Sequence, residues 1–227
     1  VNGHYMNYRH KFQSTVWYNS GLMRSENHHA KELVNYRFAY TTAIDRNLYV
    51  FAETKLLDGL IGNTGGIQKT EGNNRVSVYF KGMYRNNYTF YSEYLHPRAD
   101  FAPNMRNNTL NLEAEHRYQY KRGYGRILAQ LRSSALYNDY DYQWAKLEVI
   151  NHNYLGKLEV RTRTMGQYIT GSNIAQESYL YQDGANGEEM MDSKFWRSEL
   201  VDMTSASNFT NLGNAIGYGG GLNLRGF

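Results

Sequence analysis

Residues Thr109–Tyr120 read TLNLEAEHRYQY, and their periodicity decides the fold. Leu110, Leu112, Ala114, His116, Tyr118 and Tyr120 share one parity, while Asn111, Glu113, Glu115, Arg117 and Gln119 share the other. Leu112, Glu113 and Ala114 are good helix formers. A helix would nevertheless gather Leu110, Glu113, Ala114 and Arg117 onto one mixed face, whereas a strand separates the two chemistries. Twelve residues at ~3.3 Å each reach ~40 Å, and tilted by ~45° they would cross an apolar band ~25 Å tall. Strands of soluble domains typically run only ~5–6 residues. The stretch therefore predicts a long strand whose apolar side meets either water or lipid.

The same alternation recurs along the chain. Val34, Tyr36, Phe38 and Tyr40 oppose Asn35 and Arg37, and Leu48, Val50, Ala52 and Leu56 oppose Tyr49, Phe51, Glu53 and Lys55. Val76, Val78 and Phe80 oppose Ser77, Tyr79 and Lys81, and Tyr88, Phe90 and Tyr94 oppose Thr89, Tyr91 and Glu93. Ile127, Ala129, Leu131 and Ala135 oppose Arg126, Gln130 and Arg132, with Leu128 as an exception. Ala145, Leu147 and Val149 oppose Lys146 and Glu148, and Leu158, Val160, Thr162 and Thr164 oppose Lys157, Glu159, Arg161 and Arg163.

Polar breakers separate these runs. Gly62–Asn74 (GNTGGIQKTEGNN) and Leu95–Asn108, which carries both prolines, predict long loops. Asn86–Asn87, the surroundings of Gly123, and Tyr137–Tyr142 predict turns, and so does Asn151–Asn153 around His152. Beyond Gly166 the alternation weakens, which predicts a long loop or irregular region over 166–213. The expected domain is a single antiparallel barrel, or a fragment of one, over 1–227, with about ten strands at ~20 residues per strand and connection.

Composition narrows the class. Tyr at 22 and Gly at 21 with Pro at only 2 suit hydrogen-bonded strands joined by glycine and asparagine turns. The chain has no Cys, which excludes disulfides, thiolate metal sites and a cysteine nucleophile. Positive and negative residues interleave behind a net charge of +4, so no nucleic-acid footprint stands out. No run of ~18 apolar residues exists to form a transmembrane helix, but barrel strands cross without one.

A soluble carbohydrate-binding β-sandwich with tyrosine platforms would also alternate. Three features favour lipid on the apolar side. The strands are long. Tyrosines fall near strand ends, as in the aromatic girdles of membrane barrels, although tyrosine also favours strands generally. Charges of both signs occupy one parity: Glu113, Glu115, Arg117, Arg126, Arg132, Lys157, Glu159, Arg161 and Arg163 predict a ladder that pairs across a wet interior.

Catalytic and ligand motifs are sparse. His28, His29 and Glu32 could ligate a metal but fit an exposed loop better. Asp183, Asn186, Glu188, Glu189 and Asp192 are acidic enough for calcium yet lack the alternating spacing of a calcium loop. Gly65–Gly66 and Gly219–Gly221 lack the Lys-Ser or Lys-Thr of a phosphate loop. Glu113 and Glu115 could pose as an acid–base pair but read more simply as wall residues. No enzyme chemistry, metal or other cofactor is predicted for this segment.

The C-terminal GGGLNLRGF resembles the Arg-Gly-Phe loop motif of the outer-membrane assembly and two-partner-secretion barrels, carried here by Arg225, Gly226 and Phe227. The resemblance implies that Arg225 packs inside a barrel against acidic wall residues such as Glu113 or Glu115. With SYLYQDGANGEEMMDSKFWRSE, the same terminus is similar to the barrel region that follows thermolysin-like zinc aminopeptidase domains in Bacteroidota envelope proteins. No His-Glu-x-x-His occurs, so no zinc chemistry is carried over. Phe227 is preceded on its own parity by Arg225, Asn223 and Gly221, unlike a terminal barrel strand, which predicts that the final strands belong to a longer polypeptide.

The sequence thus predicts an all-β, antiparallel transmembrane barrel in a cell outer membrane, in contact with its lipid and with other envelope proteins. The expected role is a scaffold or anchor in an envelope complex, tied to a peptidase domain outside this chain. The alternatives are a porin-like channel for charged solutes such as sugar acids and the soluble sandwich.

Overall fold

A computed structural model describes residues 2–6, 9–18, 34–57, 60–85, 104–175 and 178–180. Ten strands follow in order: β1 (Asn2–Met6), β2 (His10–Tyr18), β3 (Val34–Asp45), β4 (Leu48–Leu57), β5 (Leu60–Glu71), β6 (Asn74–Arg85), β7 (Arg106–Tyr120), β8 (Gly123–Ser134), β9 (Asp141–Leu155) and β10 (Leu158–Asn173). They form one sheet in which every strand pairs antiparallel with its neighbours in the chain. The opening stretch lies wholly within β7, which is 15 residues long.

Turns of two residues, at 46–47, 72–73, 121–122 and 156–157, close four hairpins at one end of the sheet. Gly72 and Gly156 sit at φ of 55° and 66°, the left-handed conformation that such tight turns demand. At the other end, 135–140 joins β8 to β9. The remaining connections there include 19–33, 58–59 and 86–103, outside the described residues together with the turn expected at Asn86–Asn87 and the Tyr88–Tyr94 pattern.

Three sequence expectations are corrected. Gly62–Asn74 is not a long loop: β5 runs through it to Glu71, and only Gly72–Asn73 turns. Its small side chains hid a strand that takes backbone hydrogen bonds from both β4 and β6. Gly66 lies in register between Phe51 and Tyr79, and a Cβ there would stand 2.4 Å from the Cβ of Tyr79. His152 is not in a turn but inside β9, because the β9–β10 hairpin turns at Gly156–Lys157. The irregular region does not start at 166, since β10 continues to Asn173. Residues 181–213 of that region lie outside the described residues.

Burial runs opposite to that of a soluble sheet. On β7, Leu112 is 41% exposed while Asn111 and Glu115 retain 2% and 4%. The rule holds on neighbouring strands: Val78, Ile127, Leu131 and Leu147 are exposed, and Lys55, Ser77, Arg132 and Glu148 are buried. One face therefore carries aliphatic rows in the open and the other hides polar rows. All-β architecture and the separation of aliphatic from charged rows follow directly from the alternation read in the sequence.

Candidate functional site

The polar face is built from residues of one parity on each strand, aligned by register. Glu115 faces Arg75 on β6 and Leu128 on β8, and Leu128 faces Glu148 on β9. Leu128, the exception in its strand, thus fills the space between two carboxylates. Arg75 Nη2 donates to Glu113 Oε1 at 2.9 Å and to Glu115 Oε2 at 2.7 Å. Arg117 Nε also donates to Glu115, and Gln130 Nε2 donates to Glu113 at 2.8 Å. Arg163 Nε donates to Glu148 at 2.6 Å, and the Arg126 guanidinium stands 3.9 Å from the same carboxylate. Arg161 bonds Glu159 through two nitrogens, at 2.8 and 3.1 Å. Charge-assisted bonds of this kind hold their carboxylates more firmly than neutral ones would.

The ladder expected from sequence is brought together in large part. Glu113, Glu115, Arg117, Arg126, Arg132, Glu159, Arg161 and Arg163 all lie on this face. Lys157 does not join it as a strand residue, because it sits exposed in the β9–β10 turn. Arg132 is buried. Its Nε donates to Asn111 Oδ1 at 2.6 Å, and its guanidinium lies 4.7 Å from the Trp144 ring centroid. Arg117 and Arg126 stand directly opposite each other, a like-charge pairing that separate carboxylates on either side offset. Arg225, Gly226 and Phe227 lie outside the described residues, and the described partners of Glu113 and Glu115 are Arg75, Arg117 and Gln130.

Sequence reasoning missed Arg75, Glu148, Arg37 and Glu53 as ladder members. Arg37 Nε donates to Glu53 at 2.6 Å, and Lys55 Nζ reaches the other Glu53 oxygen at 2.6 Å. Their parity signalled the face, since each alternates with aliphatic neighbours. It could not signal the partners, because Arg75 and Glu113 are 38 positions apart and meet only through register.

The two halves of this face differ. Over β7–β10 the side chains close on one another and on the segment after β10. Tyr142 OH donates to Asn107 Oδ1 at 2.8 Å and accepts from Ser178 Oγ at 2.7 Å, while Gln167 Nε2 donates to the Ser178 carbonyl at 2.7 Å. Ala175 is fully buried against Tyr142 and Trp144. Over β2–β6 a cavity of about 580 Å³ opens instead, lined by Lys11, Gln13, Arg37, Thr41, Tyr49, Phe51, Glu53, Thr64, Gln68 and Arg75 among others.

The rim of the apolar face near the two-residue turns is polar and aromatic. His116, Tyr118 and Tyr120 stack in sequence along β7. Tyr118 and Tyr120 lie across Gly125 and Gly123 of β8 and donate to Asn151 and Asn153 of β9. On β2 and β3, His10 Nδ1 meets Tyr40 OH at 2.7 Å.

Among the described residues no group of three or more His, Asp or Glu side chains is placed to hold a metal ion. His28, His29, Glu32 and the acidic stretch from Asp183 to Asp192 lie outside those residues. Gly65–Gly66 is strand, not a phosphate loop. In comparisons with family models, curated proteins and solved structures, nothing matches this chain.

Proposed function

We propose that this chain forms the wall of an outer-membrane β-barrel, with hydrocarbon against its aliphatic rows and water against its charged rows, serving as a scaffold or anchor in a cell-envelope complex. The observation that carries this reading is the inverted burial. Leu110, Leu112, Leu131 and Leu147 stand in the open on one face, while Glu115, Arg132 and Glu148 are hidden on the other. In water, an open aliphatic surface of this extent is unfavourable. Against lipid the same surface costs nothing, and the inner charges keep their partners. Four two-residue turns at one end match the short-turn side of such barrels, and the Tyr118–Tyr120 rim matches an interfacial belt. The paired carboxylates and the Tyr142–Asn107–Ser178 contacts over β7–β10 suit a rigid scaffold.

A second reading, a channel for charged solutes, is favoured by one observation. Basic side chains on the polar face, among them Lys11, Arg37, Arg75, Arg126, Arg132, Lys146, Arg161 and Arg163, outnumber Glu53, Glu113, Glu115, Glu148 and Glu159. Such a wall would pass anions.

The chain lacks Cys, so single cysteines report cleanly. Spin labels at Leu112, Ile127 and Leu147 in lipid vesicles should be relaxed by oxygen and shielded from an aqueous nickel chelate. Labels at Gln130 and Lys146 should show the reverse. Equal aqueous access at both sets would end the membrane reading. Planar-bilayer recordings separate the two roles: steps of anion-selective conductance identify the channel, and their absence in vesicles that pass the labelling test identifies the scaffold.

A further inference from the structure

We propose that the cavity over β2–β6 is a binding site for a sugar acid, a carboxylate carried on a hydroxyl-rich ring. The proposal deepens the reading of the polar face as a wet, enclosed interior and rests on it. The cavity's volume of about 580 Å³ falls within the usual range for one small ligand. Three kinds of group line it. Lys11 supplies a cation that has no ion-pair partner among the described residues. Gln13, Thr41 and Thr64 supply neutral donors and acceptors whose side chains are not spent on other described residues. Phe51 supplies a ring on the same face, in register with Thr41 on β3. The lining carboxylate, Glu53, is already held by Arg37 and Lys55, so it does not repel an anion as a free carboxylate would.

This combination selects against other ligand classes. A cation would meet Lys11 and the guanidinium of Arg37. A neutral apolar molecule would displace water from the amide of Gln13 and both threonine hydroxyls and offer them no partners, which is costly. A bare carboxylate would use Lys11 and leave the hydroxyls and the ring idle. A sugar acid uses all three: carboxylate on Lys11, hydroxyls on Gln13, Thr41 and Thr64, and its C–H face on Phe51. A monosaccharide in a wide cavity of this kind is held weakly, so discrimination between ligands matters more than affinity.

The test is calorimetric titration of the full chain, folded in detergent micelles, with sodium glucuronate, glucose and sodium acetate. Glucuronate should bind at least tenfold more tightly than either of the others. Lys11→Gln should weaken glucuronate binding at least tenfold, and Lys146→Gln on the other half of the face should leave it unchanged. Heat-modifiable gel migration checks that both variants fold. Acylation mapped by mass spectrometry gives a readout in the native sequence, where glucuronate should protect Lys11 and leave Lys146 reactive. No heat with glucuronate at millimolar concentrations, equal binding of acetate, or unprotected Lys11 would each overturn the proposal. The spin-label pattern on Leu112 and Gln130 reports the barrel wall independently, so loss of the ligand site and loss of the membrane reading are told apart.

Discussion

Across β6–β10, Glu115 and Glu148 each engage two arginines, and Tyr142, Asn107 and Ser178 form a continuous hydrogen-bonded chain. Across β2–β5, Lys11, Gln13 and Thr64 face a cavity with no side-chain partner among the described residues. Both regions belong to one sheet, share one strand geometry and carry aliphatic rows on the face opposite the polar one. The difference lies in where complementary charges fall in register. On β6–β8 the carboxylates Glu113 and Glu115 fall beside Arg75, Arg117 and Gln130, so they are paired within the face. On β2–β5 the carboxylate Glu53 meets Arg37 and Lys55, and Lys11, Gln13, Thr41 and Thr64 are left without side-chain partners among the described residues. A polar face can therefore pair its groups in one place and leave them open in another, with no change of fold.

The largest expected effect tests what the two regions have in common. Leu112→Arg places a charge on the aliphatic row, and at mid-depth in a bilayer this should cost ~2–4 kcal/mol. Gln130→Arg, on the adjacent polar row, should cost less than ~1 kcal/mol. Urea unfolding midpoints in lipid vesicles measure both. Equal small losses would mean that the aliphatic row does not meet hydrocarbon, and the shared outer face would lose its meaning.

The next effect separates the regions. Glu115 has a side chain only 2% exposed and takes bonds from Arg75 and Arg117. Glu115→Gln removes the charge and leaves two guanidiniums facing each other's field. With Arg117 itself largely exposed, the cost should be ~2 kcal/mol, below that of fully buried pairs. Thr64→Val in the open half removes a hydroxyl that no described side chain uses, and it should shift stability by no more than ~0.5 kcal/mol. The same unfolding measurement reads both, and a loss at Thr64 comparable to that at Glu115 would erase the distinction between a closed half and an open one.

Much of this arrangement was legible in the chain. The parity of Leu110 through Tyr120 fixed both the strand and its two chemistries, and the same alternation placed Arg126, Arg161 and Arg163 on one face. Strand β5 was hidden because alternation is written in side chains, and Gly62, Gly65 and Gly66 write none. Its place is specified by neighbours, through Phe51 and Tyr79 meeting over Gly66. The pairing of Arg75 with Glu113 and Glu115 was hidden for a different reason. Register depends on where each hairpin turns, and a turn misplaced by a few residues moves every partner. That is why the sequence places a turn at His152 and Lys157 in the ladder, whereas the left-handed Gly156 sets the turn at Gly156–Lys157. The cavity residues Lys11 and Gln13 had no sequence signal, since a site made of unpaired groups shows only once the paired ones are known.

The smallest effect concerns how glycine is used on each side of the sheet. In the open half, Gly66 lets two aromatic rings approach on the inner face. In the closed half, Gly123 and Gly125 let Tyr120 and Tyr118 lie flat on the outer face, where their hydroxyls reach Asn153 and Asn151 across β8. The tyrosines restore side-chain cover that the glycines lack and fix the hairpin's register at the rim. Tyr120→Phe keeps the ring over Gly123 and removes only the hydroxyl, so it should cost ~0.5–1 kcal/mol, the net worth of an accessible hydrogen bond. Tyr120→Ala also uncovers the glycine and should cost ~2 kcal/mol or more. If phenylalanine and alanine are equally damaging, the hydroxyl bonds to Asn151 and Asn153 hold the rim. If phenylalanine is harmless, the ring over the glycine does, and the inner contact of Phe51 with Tyr79 over Gly66 and the outer tyrosine cover become two versions of one device.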